Sequence, residues 1–532
     1  MRWGTATPGR IGETTGVPPR AVVSHALARR KKGDLAVVDV SGTPPVDHGH
    51  AVVVGGGISG LITARVLADH FARVTVLEQD SVTADTGYHR GVPQARHLHA
   101  LLARGSQIME QLFPGLRDEL AAQGAPVFDM GTSARVLFPS GWAPRTHIGV
   151  LIQNCSRATL ERCLRARVLA ITRVSVQSGW QVKDLCWDGT RSRVTGVVVS
   201  SMSKAPGQPA DGDPRHATAP AVESITADLV VHAAGRTSQL ADWLHQAGYP
   251  KPASRTVHSG TSYASRLFTA QPGIMNDHHI ISETPHAPDV RRGAAVQTVE
   301  GGAVMVTLLG ADGEVPPADE QGFVAYARSL RDSAAAEVIT SGTPLGPAYR
   351  ALRLDNRWVL YHRMPRWPDR LLCVGDAVCC FNPAYGQGMT VAAFEGQLLG
   401  RLLGRNRFVR DLTGLAPIFQ RRLARALAVP WAMATSSDLG WAPDKPPLGA
   451  RLARWYSDHL IALIPGSPRV YQNLYQVAQM VRSPAALLHP AILGQVARRA
   501  VLTRNRPKTR EPGKRPAGPR ERAGDLLLDP PD

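Results

Sequence analysis

Two groups of residues in this chain have the types and spacing to hold a phosphate- and ribose-bearing cofactor. The first is Gly55, Gly57 and Gly60, a G-x-G-x-x-G set that follows the apolar run 51–54. Ile58 and Ser59 stand where a helical pattern begins, carried on by Leu61, Ala64, Leu67 and Ala68. A second apolar run, 74–77, then ends in Glu78. Strand, glycine turn, helix, strand and acid within about 30 residues is what a dinucleotide-binding unit requires. Gly55 permits the tight turn, Gly57 lets the backbone approach a pyrophosphate, and Gly60 lets the helix pack on the strand. The helix start offers free N–H groups and the positive end of its dipole to phosphate. Glu78 can accept hydrogen bonds from ribose hydroxyls.

The second group lies about 300 residues on. The stretch 370–377 reads as a buried strand ending in Gly375 and Asp376, and the chain then passes through Phe381, Asn382, Pro383, Ala384, Tyr385, Gly386, Gln387, Gly388 and Met389 to an amphipathic helix over 392–403. An aspartate where a strand meets a glycine-rich helix start can bind ribose hydroxyls. The backbone amides of 386–389 can face an electron-rich ring.

At these residues the chain resembles the FAD-dependent monooxygenases of the aromatic-hydroxylase and squalene-epoxidase type. Their motif G-D-x-x-H-x-x-x-P-x-x-G-Q-G is met by Gly375, Asp376, Pro383, Gly386, Gln387 and Gly388, with Cys379 at the histidine position. Their D-L-V-I-x-A-D-G-x-x-S motif is met by Asp228, Leu229, Val230, Val231, Ala233, Gly235 and Ser238, with Ala234 in place of the second aspartate. Their S-R-x-x-L-E helix start appears as Ser156, Arg157, Leu160 and Glu161. Residues 91–102 (with Gln94, Arg96, His97 and His99), 112–115, 310–317 and 429–435 are similar to the actinobacterial branch holding the polyether epoxidases of monensin and lasalocid type. The likeness covers roughly residues 50 to 497.

The resemblance implies FAD bound through Gly55, Gly57, Ile58, Ser59, Gly60, Glu78, Gln94, Arg96, Arg157, Gly235, Asp376, Pro383, Gly386, Gln387, Gly388 and Met389. It implies O2 as co-substrate and NAD(P)H as electron donor, either directly or through a separate flavin reductase; Ala234 weakens the case for the direct route. One oxygen atom is then inserted by way of a flavin C4a-hydroperoxide, which epoxidises or hydroxylates a small apolar polyketide- or terpenoid-like substrate. Such chemistry needs no side-chain acid, base or nucleophile, so no catalytic residue is named; His97, His99 and Tyr385 are pocket candidates. The alternatives are a self-sufficient NAD(P)H-dependent aromatic hydroxylase, a flavin-dependent halogenase (whose W-x-W-x-I-P signature is absent), a prenyl reductase, and a non-catalytic nucleotide-binding interaction protein.

These elements need an α/β frame: a Rossmann-like FAD-binding domain of the glutathione-reductase type, interleaved with an antiparallel β-sheet substrate domain and followed by a C-terminal helical region. The FAD-binding domain is expected in three stretches of chain, 49–167, 168–255 (which includes a β-meander) and 351–405. The substrate-binding sheet falls between the last two, at 256–350. A helical region (406–497) follows, and a disordered basic extension (1–48) and a disordered basic tail (498–532) flank the whole. Within the helical region Pro430 and Pro465 read as breaks, and Tyr471, Leu474, Val477 and Met480 as one face of a helix over 470–481. The 256–350 sheet is expected to wall the substrate pocket.

Composition agrees with a globular protein, at 43% hydrophobic and 20% charged residues. The net charge of +18 is concentrated at the ends: residues 498–522 hold ten Lys/Arg against two acids. Both ends are Pro-, Gly- and Arg-rich without periodicity, which argues for disorder rather than a specific nucleic-acid partner. The six cysteines lack C-x-x-C spacing, which suits a reduced, cytoplasmic protein. No apolar run reaches the ~18 residues of a membrane span, so at most peripheral membrane contact is expected, and no spacing suggests a metal.

Overall fold

A computed structural model of the protein describes residues 48–83, 93–202, 222–271, 273–352, 354–441 and 448–504. The expected disorder of 1–47 and 505–532 lies outside the described residues, as do Gly91 and Val92. Five strands form a parallel sheet: β1 (His48–Val54), β2 (Phe71–Glu78), β3 (Val174–Ser178), β4 (Leu229–His232) and β5 (Leu371–Cys373), in the order β5-β4-β1-β2-β3. The central strands are continuous apolar runs because they are covered on both faces; residues 51–53 and 229–231 are fully buried. Helix α1 (Ile58–Leu67) follows β1, and α2 (Arg157–Leu169) precedes β3. Helix α3 (Gln387–Leu403) follows β5 and packs on α1 so closely that a Cβ at Gly396 would lie 2.4 Å from Ile62 Cγ2. It starts at Gln387, earlier than the apolar pattern from Ala392 indicates.

A β-meander of Trp180–Trp187, Val194–Ser201 and Val222–Thr226 extends from β3. A larger, mainly antiparallel sheet is built on Ser262–Thr269, Ala303–Gly310, Arg292–Thr298 and Ile280–Glu283, with Glu320–Arg328 and Ala334–Ser341 as helices over its core. Its far edge is made by Ala134–Phe138 and Gly141–Trp142. Those residues read by sequence as belonging to the 49–167 FAD-binding stretch; here they complete the second sheet, Ala134–Phe138 pairing in parallel with Ile280–Glu283.

Beyond α3 the chain is helical: α4 (Leu415–Asp438), α5 (Leu448–Leu463), α6 (Pro468–Ala478) and α7 (Pro490–Arg504). Three expectations are corrected. Pro430 lies inside α4 and does not break it; burial of Phe419, Leu423, Leu427, Trp431 and Ala434 offsets the hydrogen bond that proline removes. Helix α6 stops at Ala478 because Met480 takes a left-handed conformation, φ 57°, so Met480 does not extend its face. The basic tail expected from 498 begins later, since α7 continues to Arg504. No helix among the described residues is long and apolar enough to cross a membrane.

Candidate cofactor site

A cavity of about 520 Å3 opens at the C-terminal ends of β1, β2, β4 and β5. In open parallel sheets ligands bind in such a crevice, outside the carboxyl ends of the strands. The turn between β1 and α1 forms its floor. Gly55 has φ 105°, and an added Cβ would meet Ala233 O at 2.5 Å; a Cβ at Gly60 would lie 1.9 Å from Gly55 O. Gly57, by contrast, has no atom within 4 Å of a Cβ position and opens to the cavity. It is also the N-cap of α1 and supplies no side chain to the helix amides, which stay available to a ligand.

Glu78, at the end of β2, does two things. Its Oε2 accepts from the Gly56 N–H at 2.7 Å and its Oε1 from the Asp80 N–H at 2.9 Å, so it braces the glycine turn. Each oxygen keeps a second lone pair, and the side chain lines the cavity. Arg157 reaches the cavity from the first turn of α2. That turn is capped by Ser156 Oγ, which accepts from Thr159 N–H at 3.1 Å. Glu300, 144 residues away, accepts from Ser156 N–H at 2.7 Å, from Ser156 Oγ and from Thr159 Oγ1 at 2.6 Å. Burial alone would raise the Glu300 carboxyl, but these donors outweigh it and hold it below the ordinary glutamate range.

On the opposite side stands Asp376. Burial raises its carboxyl above the usual aspartate value, against the opposing pull of Arg236, Arg157 and Arg357. Behind it, Glu395 of α3 accepts from the Gly375 N–H at 2.7 Å. Burial pushes that carboxyl up to about 8, the Gly375 bond lowers it, and Asp376 raises it further. Pro383, Gly386, Gln387, Gly388 and Met389 complete this wall, with Gly386 as the N-cap of α3 and again no capping side chain.

The structure thus brings Gly55, Gly57, Ile58, Ser59, Glu78, Gln94, Arg157, Gly235, Asp376, Pro383, Gly386, Gln387, Gly388 and Met389 onto one cavity. Two of the expected cofactor residues are not on it. Gly60 packs behind the turn, and Arg96 lies with its guanidinium 4.3 Å from the Tyr349 ring centre. Of the pocket candidates only His99 lines the cavity. Its Nδ1 bonds His97 O at 2.9 Å, and burial first, then Arg157, lowers its pKa to about 3. His97 bonds Ser265 Oγ at 2.9 Å, and burial lowers its pKa to about 4. Tyr385 turns away to Asp438, 2.5 Å from its Oδ1. The larger sheet, expected to wall the substrate pocket, contributes no residue to this cofactor cavity and meets its surroundings through His97–Ser265 and Tyr263–Asn382.

Sequence reading missed Gln79, Trp180, Gln181, His232 and Arg236, all of which line the cavity. Arg236 is next to a named motif residue and was within reach of the pattern; Trp180 and Gln181 begin a meander strand with no local cofactor signal. The vicinal Cys379 and Cys380 are buried, and burial raises both thiols, Cys380 to about 12, so neither is a reactive thiolate. Among the described residues no His, Cys, Asp and Glu group could hold a metal ion.

These residues fit FAD. His232 Nδ1 and Gln387 Oε1 are buried without a hydrogen-bond partner, and both belong to residues lining the cavity. Buried polar atoms without partners at a cleft are what a polar ligand would satisfy. Two glycine-capped helix starts, with Arg157 and Arg236 on the same cavity, suit its pyrophosphate. Comparison with known proteins agrees. Residues 49–406 match the family described as FAD binding domain. The chain is 34% identical over 419 residues to Protein Rv3254 of Mycobacterium tuberculosis, covering 76% of this chain and 83% of that one. Its fold is similar to the flavin-dependent brominase Bmp2 (TM-score 0.57, 13% identity, 85% of this chain and 100% of that chain). It is similar too to PqsL of Pseudomonas aeruginosa, a probable FAD-dependent monooxygenase (TM-score 0.53, 15% identity, 81% and 99%). At such identities the structural likeness is one of fold.

Proposed function

This chain belongs to the FAD-binding-domain family and is an FAD-dependent oxidoreductase, and from that premise we propose that it is a monooxygenase: it inserts one atom of O2 into an apolar polyketide- or terpenoid-like substrate, by epoxidation or hydroxylation. Bound in this cleft, FAD supplies the redox chemistry that activates O2. The protein holds the cofactor, excludes water and orients the substrate. The observation that carries the reading is the apolar lining beside the start of α3. Ala100, Phe381, Pro383 and Met389 line it, and at the adjoining His99 burial and Arg157 disfavour the protonated imidazole. Such an apolar lining can keep water from the reacting centre and hold an apolar substrate beside the cofactor. The substrate class rests on the sequence likeness to the polyether epoxidases.

Electrons come from NAD(P)H through a separate flavin reductase or by slow direct reduction. Supporting this, Ala234 lines the cavity where the resembled family has aspartate. The test is incubation of FAD-loaded protein with 18O2, NADH or NADPH, with and without a generic flavin reductase, and a panel of apolar alkenes and arenes. One 18O atom in the product is expected, with faster turnover when reductase is present. A product that is halogenated or desaturated without label would overturn oxygen insertion. Rapid reduction by nicotinamide alone, matched to turnover on a small phenol, would overturn the donor and substrate assignments.

A further inference from the structure

Asp438 is the last residue of α4 and lies beyond the segment that matches the family. It is 1% exposed, and three side chains converge on it. Tyr385 Oη donates to Oδ1 at 2.5 Å, Asn356 Nδ2 donates to Oδ2 at 2.5 Å, and Asn382 Nδ2 lies 3.3 Å from both oxygens. Asn382 is the second hub. Its backbone N–H donates to Asn356 Oδ1 at 2.8 Å, and its own Oδ1 accepts from Tyr263 Oη at 2.9 Å and from Ala384 N–H at 3.1 Å.

Four separate stretches of the chain therefore meet in one buried knot: strand Ser262–Thr269 through Tyr263, strand Asn356–Val359 through Asn356, α4 through Asp438, and the loop 382–386. Only the loop touches the cofactor cavity, through Pro383 and Gly386, and it ends as the N-cap of α3. Asp438 is the only pure acceptor among the four side chains at its centre. An ionised carboxylate donates nothing and can receive Asn356, Asn382 and Tyr385 together. An asparagine there would set one N–H2 against another.

We infer that Asp438 is a positioning residue for the cofactor site: it fixes the 382–386 loop, and with it the start of α3, from a helix outside the family's shared segment. A loop already held in its bound position loses less freedom when the cofactor arrives, so the knot contributes to FAD affinity without touching FAD. The inference rests on FAD occupying this cleft and not on oxygen transfer.

The experiment is titration of flavin-free protein with FAD, followed by flavin fluorescence, for wild type, Asp438→Ala, Tyr385→Phe and the double variant. Melting of the flavin-free protein and visible circular dichroism of bound FAD are measured alongside. Asp438→Ala is expected to raise the FAD Kd about tenfold or more, and Tyr385→Phe about threefold, each with an altered flavin dichroism. The double variant should be no weaker than Asp438→Ala alone, because both act through one knot. Flavin-free Tyr385→Phe should melt within a few degrees of wild type, and Asp438→Ala lower but with a single cooperative transition, since it leaves the Asn356 and Asn382 donors buried without that acceptor. A Kd within twofold of wild type, or a Kd loss matched by general loss of the flavin-free fold, would overturn the assignment. If Asp438→Ala does not fold, Tyr385→Phe decides: an unchanged Kd and dichroism sink the idea. Wild type that fails to bind FAD would instead overturn the cofactor reading.

Discussion

The glycine turn at 55–60 and the loop at 382–386 face the same cleft but are held by different means. The turn is a backbone object. Gly55 N–H donates to Leu77 O at 2.8 Å, Gly60 nests against Gly55 O, and a single carboxylate, Glu78, braces it from 22 residues away. The loop is a side-chain object, fixed by Tyr263, Asn356 and Asp438 from 26 to 119 residues away. The turn is rigid because at Gly55 and Gly60 its geometry leaves no room for a Cβ. The loop is rigid only while every donor and acceptor in its knot stays paired. The two walls should therefore fail in different ways, the first by steric exclusion and the second by lost positioning.

The harshest way to press the contrast is Gly60→Val. A Cβ 1.9 Å from a backbone oxygen cannot be relieved by a rotamer change. Destabilisation above about 3 kcal/mol and loss of bound flavin are expected. Thermal unfolding and the flavin content of purified protein check this. A stable, yellow Gly60→Val protein would show that the turn is not built by close approach.

The second test is pH. Glu395 is buried behind Asp376, with its pKa raised from 4.5 to about 8. A raised folded-state value means the protonated carboxyl favours the folded protein. That stability is complete below about pH 4.5 and is lost as pH rises through about 8. Flavin-free wild type should lose on the order of 2–3 kcal/mol between about pH 6 and 8 through this group. Glu395→Gln keeps an acceptor for the Gly375 N–H and does not titrate, so its melting temperature should fall less over that range. Parallel pH profiles for the two proteins would refute the assignment.

The lining residues of both walls were legible in the sequence, but what holds the second wall in place was not. Glycine spacing, apolar runs and a terminal acid are local patterns, and they located β1, α1, β2, Glu78 and Asp376. Glu300 and Asp438 carry no such signal. Glu300 acts on Ser156 only because the larger sheet brings it to the start of α2, and Asp438 reaches Asn382 only because α4 runs from beside β5, where Gln420 bonds Cys373 O, to the 382–386 loop. Nor did strand patterning reveal that Ala134–Phe138 leaves the segment around it to join the other sheet, since an alternating strand does not name its partner. Pro430 misled for the opposite reason: a strong local signal was overruled by the buried face around it.

A milder probe of the first wall's partner is Asp376→Ala. Asp376 lines the cavity, and Arg236, Arg157 and Arg357 act on its carboxyl. Losing one hydrogen bond to a charged group should weaken FAD binding by about 1.5 kcal/mol, roughly tenfold, with little change in the melting of the flavin-free protein. Unchanged affinity would remove Asp376 from the site and leave the second wall resting on the α3 start alone.

The smallest effect is expected at Arg96, where the sequence and the structure disagree. The family likeness makes it a cofactor residue, yet its guanidinium lies 4.3 Å from the Tyr349 ring centre, off the cavity that Gln94, two residues earlier, lines. An exposed cation–π contact is worth about 0.5–1 kcal/mol. Arg96→Gln should thus lower the melting temperature by no more than a few degrees and leave the FAD Kd within about twofold of wild type. Gln94→Ala, measured beside it, should weaken FAD more than Arg96→Gln does. If Arg96→Gln instead weakens FAD tenfold while melting normally, the 94–99 segment must turn over when the cofactor binds. It would then be a third kind of wall, set by the ligand rather than by backbone or knot.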